Sequence, residues 1–195
     1  MNYLAHLFLS GDNPKHMVGN FMGDSVKGRD YENYDDELRL GILLHRQIDH
    51  FMDTHPEVEK GKARLRNHIG KFSGVVMDVF YDHFLALNWH EYSAVNRDDF
   101  IQSSYRILEK HVDDMPQITQ FIMGRMISNN WLGHYHKEEG IDRALTGLSH
   151  RTRYKNNMAD SVQFLVKFKQ DFDQEFRSYF PEIIDHCNTF IRQNG

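Results

Sequence analysis

A chain of 195 residues holds one ordinary domain and is short for two. With 40% hydrophobic residues, 14 Phe and 9 Tyr it has the bulk for a packed core, which excludes global disorder, while 4 Pro and one cysteine, Cys187, exclude a proline-rich spacer and an internal disulfide framework. Its 23 Lys+Arg against 28 Asp+Glu leave a net charge of −5, so nothing in the overall balance favours nucleic acid or an acidic membrane surface. The first twenty residues include His6, Asp12, Lys15 and His16 and never sustain the apolar run of a signal peptide or membrane span, so a cytoplasmic location is expected. The unusual number is 13 histidines without a poly-His tract.

Apolar residues recur at three and four rather than two, which predicts an all-α fold, a single domain over residues 1–195. Asn13-Pro14 opens a first helix that carries Met17, Phe21 and Asp24 on one face and ends near Lys27. A polar stretch leads to a second helix from Asp36 to Thr54, stopped by His55-Pro56. Glu57 to Ile69 reads as the third, and Lys71 to Trp89, the most apolar, as a central fourth. Asn96, followed by Asp98 and Asp99, caps a helix running to about Val112. Met115–Asn129 and Ile141–Ser149 follow, separated by a loop, and Met158–Arg192 holds one long helix or two around Pro181.

The second helix has the stripe Leu38, Ile42, His45, Asp49, Met52, which places two ionisable groups on an apolar face. On the fourth, Asp78 and Asp82 are one turn apart beside Val75 and Val79, and His83 lies next to Phe80 and Leu87. With Asp24, three helices aim acids at one interior. A desolvated carboxylate costs several kcal/mol unless compensated, by arginine, by protonation or by a cation. A divalent cation answers the whole set most economically, and mixed imidazole and carboxylate donors suit Mn²⁺, Fe²⁺ or Zn²⁺ better than Ca²⁺. Taken alone, His45 would more readily be a hydrogen-bonded core residue, and His6 fits a turn cap as well as a site; it is the company of acids that points to function.

No nucleophile elbow, Walker loop or dinucleotide loop occurs, and Cys187 has no base beside it except the sequence-adjacent His186. Two basic stretches remain. Lys60, Lys62, Arg64, Arg66 and Lys71 read as a solvated face, whereas Arg143, Arg151, Arg153 and Lys155 lie in an acid-free stretch suited to phosphate or an acidic partner.

Five segments, in order, resemble a known family: Met1-Asn2-Tyr3-Leu4-Ala5-His6-Leu7, Gly19-Asn20-Phe21-Met22-Gly23-Asp24, Gly41 to Asp49, Asp78 to Leu85 and Leu145 to Arg151. The chain is similar to the acyl carrier protein phosphodiesterases, also called acyl carrier protein hydrolases, although Phe8 stands where many members carry a histidine. That resemblance implies an HD-domain-like helical bundle and hydrolysis, with Mn²⁺ or Mg²⁺, of the phosphodiester joining 4′-phosphopantetheine to a serine of acyl carrier protein. It implies metal roles for Asp24, His45, Asp49, Asp78 and Asp82, and for His83 and His6 a part as ligand, general base or general acid. Arg46, beside a ligand, is then a candidate phosphate clamp, and the Arg143–Lys155 stretch a docking patch for the acidic carrier. Two other readings use the same acids: an HD-like phosphohydrolase of a nucleotide or small phosphoester, and a metal-stabilised helical binding protein without turnover.

Overall fold

The computed structural model describes residues 2–195. Among them, 12 α-helices and no strand occur. They are α1 Tyr3–Phe8, α2 Pro14–Met22, α3 Asp36–Thr54, α4 Pro56–Ile69, α5 Ser73–Leu87, α6 Trp89–Tyr92, α7 Arg97–Lys110, α8 Gln117–Ser128, α9 Trp131–His134, α10 Glu138–Arg151, α11 Val162–Lys167 and α12 Lys169–Asn194. None is long and apolar enough to cross a membrane.

Local chemistry explains the boundaries. The Asn13 side chain accepts from Lys15 N ahead of Pro14, Asp35 accepts from Leu38 N, the His55 ring accepts from Glu57 N, and Asn96 accepts from Asp98 N and Asp99 N. Gly70, at φ +63°, closes α4 in a conformation that a side chain would strain. The expected first helix stops at Met22, earlier than Lys27, and Asp24 falls in a 3₁₀ turn, Gly23–Ser25. The C-terminal break falls at Phe168 rather than Pro181, which α12 carries inside an unbroken helix of 26 residues.

α5 is central, as its composition predicts, with Tyr81, Phe80 and Phe84 fully buried against Phe172, Phe176 and Tyr179 of α12. Phe8 belongs to the same apolar interior, packed on Trp89, Phe100 and Phe180. A ring at position 8 therefore serves packing. α2 meets α3 backbone to backbone: a Cβ on Gly19 would lie 2.2 Å from the Leu38 carbonyl oxygen, and one on Gly41 2.3 Å from that of His16. This contact sets His45 close to Asn20.

Candidate active site

α1 is too short to hold itself together, and its Asn2 N-cap makes no side-chain cap bond. Its cap comes from α5 instead. Asp82, at 0% exposure, accepts from Leu4 N at 2.8 Å and Ala5 N at 3.1 Å, so both carboxylate oxygens serve the orphan amides of the first turn. Burial, opposed by those two bonds, pushes its carboxyl up to about 7. The anchored helix turns His6 inward.

Asn20 then fixes two imidazoles. Its side-chain NH₂ donates to the His6 carbonyl oxygen at 2.8 Å, an acceptor only, so its Oδ1 must be the atom 2.7 Å from His6 Nδ1. His6 Nδ1 is the donor in that bond. Likewise His45 Nδ1 lies 2.8 Å from the Asn20 backbone oxygen and donates to it. The rings stack at 4.2 Å with 20° between planes, and Gly23 leaves room for the second, since a Cβ there would lie 2.3 Å from His45 Cγ.

Both Nε2 atoms face one carboxylate. His6 Nε2 is 3.2 Å from Asp49 Oδ1, and His45 Nε2 is 3.2 Å from Asp49 Oδ2 and 3.4 Å from Asp24 Oδ1. One ligand atom from each of His6, His45 and Asp49 fits within 4.8 Å of the others. Burial disfavours charge on His45, but hydrogen-bonding to Asp24 and Asp49 outweighs it and raises its pKa to about 9. Burial and the neighbouring His45 hold His6 down to about 4. Burial would raise Asp49, yet the two histidines hold it far below the usual carboxylate range; Asp24 is lowered too, chiefly by His45.

These donors fit a divalent cation. Both Nδ1 protons are committed to oxygen acceptors as in metal-ligating histidines, both Nε2 atoms are turned to Asp49 with Asp24 beside that of His45, and mixed imidazole and carboxylate donors suit Mn²⁺, Fe²⁺ or Zn²⁺. Asp24, 81% exposed, and Asp49, 42%, open to a cleft of about 840 Å³. Asp78 lines the cleft on α5, its carboxyl raised by burial, and Tyr3 and Arg151 line it at another edge.

The cleft lacks some of the expected residues. Asp82 is a cap rather than a member of the histidine–Asp49 cluster. His83, the next residue and so about 100° around α5, donates through Nδ1 to the Tyr135 carbonyl oxygen at 2.8 Å and lines no part of the cleft. Arg46, expected to clamp phosphate, donates to the Val26 carbonyl oxygen at 3.1 Å and lies over the Tyr31 ring, tying α3 to the polar connection before it. Of the basic stretch, Arg151 lines the cleft and Arg143 an adjoining cavity, whereas Arg153 and Lys155 are exposed on the turn after α10. The first basic stretch is largely ion-paired, Lys60 with Glu57, Lys62 with Asp53, Arg64 with Glu175 and Arg66 with Glu59. Sequence reasoning missed Asn20, whose signal was a polar residue on the apolar face that carries Met17 and Phe21 of α2.

The model of a family described as acyl carrier protein phosphodiesterase matches residues 1–183. A relative of that name from Photorhabdus laumondii is 29% identical over 190 residues, 97% of this chain and 96% of its own. Namesakes from Klebsiella pneumoniae and Yersinia pestis are 29% and 28% identical over 185 residues, each match covering 94% of this chain and 96% of the relative. No solved structure matches. With the family's model spanning nearly the whole sequence, the chain belongs to the acyl carrier protein phosphodiesterase family.

Proposed function

We propose that this chain is a metal-dependent phosphodiesterase that cleaves 4′-phosphopantetheine from the serine of holo acyl carrier protein, releasing the apo carrier and the free arm. The observation that carries the metal-dependent part is the pair of stacked histidines, each with Nδ1 committed to Asn20 and Nε2 turned to Asp49 in an open cleft. Family membership supplies the reaction class, and an HD-like reading accords with histidine and aspartate donors gathered from separate helices.

His6, His45, Asp49 and Asp24 would hold the cation, Mn²⁺ by preference, with Mg²⁺, Fe²⁺ or Zn²⁺ as alternatives. When bound, such an ion lowers the pKa of water and offsets charge on phosphoryl oxygens. Arg151, beside Tyr3, would bind a non-bridging phosphoryl oxygen through its guanidinium. Asp78, biased by burial toward its protonated form, is the proton donor we assign to the departing serine oxygen. Arg153 and Lys155, with Lys71 against the Tyr154 ring at 3.6 Å, would meet the acidic carrier outside the cleft.

Mass spectrometry of holo carrier incubated with the protein and Mn²⁺, with and without EDTA, tests this. Metal-dependent loss of the phosphopantetheine mass that is absent with Asp49→Asn is the expected result. An intact carrier alongside cleavage of small phosphoesters would replace the substrate and keep the site.

A further inference from the structure

A second cavity, of about 600 Å³, opens off the cleft between α8 and α10. The two share Asn2, Tyr3, Ile122, Leu148 and Arg151, so they form one continuous depression with Arg151 at the junction. Ile118 and Phe121, on its α8 side, are 57% and 59% exposed. Trp131 and Tyr135, around α9, line it too, and the Asn2 side chain donates to the Tyr135 hydroxyl at 3.1 Å.

On this slot α10 presents Gly147. A glycine inside a helix is worse than alanine by about 1 kcal/mol. In the same helix Gly140 has a packing reason, because a Cβ there would lie 2.1 Å from the His134 carbonyl oxygen. Gly147 has none: its φ is not positive, and a Cβ would meet nothing within 4 Å. The bare main chain serves neither a turn nor protein packing, and it widens the slot.

We propose that this slot seats the pantetheine arm of the substrate, with the phosphodiester in the cleft and the arm passing over Gly147; the proposal rests on the reaction assigned above. The arm is slim and neutral, methyl and methylene groups alternating with two amides. Apolar walls with donors along them, here Arg125, Asn129, His134, Arg143 and His150, can serve both the methylene groups and the two amide carbonyls, and the volume lies in the range of small-molecule sites, roughly 300–1,000 Å³. A carrier surface calls instead for a broad exposed face, such as the turn bearing Arg153 and Lys155.

Calorimetry with Mn²⁺ present, comparing free 4′-phosphopantetheine with inorganic phosphate, tests the slot in the intact protein. Gly147→Leu should weaken phosphopantetheine by about tenfold more than phosphate, with Gly147→Ala giving a smaller loss in the same direction and a melting temperature no lower than that of wild type. Gly124→Leu is the control, since that α8 position is equally open and lines neither cavity. Equal phosphopantetheine binding by wild type and Gly147→Leu, or parallel loss of both ligands, would overturn the proposal. Wild-type protein that binds the free arm but leaves holo carrier intact would remove the assigned reaction and keep the slot. Undiminished cleavage by Gly147→Leu would remove the slot and keep the reaction.

Discussion

The imidazoles of His6 and His45 stack with centroids 4.2 Å apart, and both reach the same carboxylate, Asp49, from different helices. Asp49 takes the Nε2 side of each ring. Asn20 orients both, with its side chain for one and its backbone for the other.

Asn20→Ala should therefore reduce Mn²⁺ affinity by about 10- to 100-fold, the usual effect of removing an outer-shell partner, although Asn20 touches no cation. Titration calorimetry reads this directly. Unaltered affinity in a folded variant would end the orienting role.

In the metal-free protein the two histidines give opposite pH dependences. His6, held down to about 4, contributes a stability loss as pH falls from about 6.5 through 4, because the unfolded chain then binds the extra proton. His45, raised to about 9, contributes stability that is full below about 6.5 and is lost as pH rises through 9. Urea unfolding in EDTA should thus show a loss of stability as pH rises from about 6.5 through 9 that Asp24→Asn flattens. A His45 ring titration by NMR with its midpoint below 6.5 would contradict this assignment.

Asp82→Ala leaves the amides of Leu4 and Ala5 buried without acceptors, at about 1–3 kcal/mol each. Hydrogen exchange at residues 4–6 should accelerate. Asp82→Asn, which keeps one acceptor oxygen, should retain most Mn²⁺ binding; loss on the scale of Asp49→Asn would make Asp82 a ligand after all.

The basic residues at the end of α10 and just after it should divide. Arg153→Ala with Lys155→Ala should raise KM for the carrier, more at low salt than at high, and spare small phosphodiesters. Arg151→Ala, inside the cleft, should slow both substrates. Salt-independent losses from the outer pair would remove their docking role.

Much of this was legible in the chain. The α3 stripe carried His45 and Asp49 to the site because a 19-residue amphipathic helix with a good cap is locally determined. α1 was not readable, since a helix of six residues draws its cap from Asp82, far away in sequence. For Asp82, helical spacing disclosed burial but could not tell a cation from two backbone amides. The same limit applies to His83, inward like its neighbour yet bonded to Tyr135. Arg46 misled by adjacency, because consecutive helical residues diverge.

The glycine contact between α2 and α3 gives the site an unusual kind of robustness. Because no side chain separates Gly19 from Gly41, main chain meeting main chain sets the spacing between Asn20 and His45. A single methyl at either glycine would collide with the facing main chain and shift Asn20 against His45.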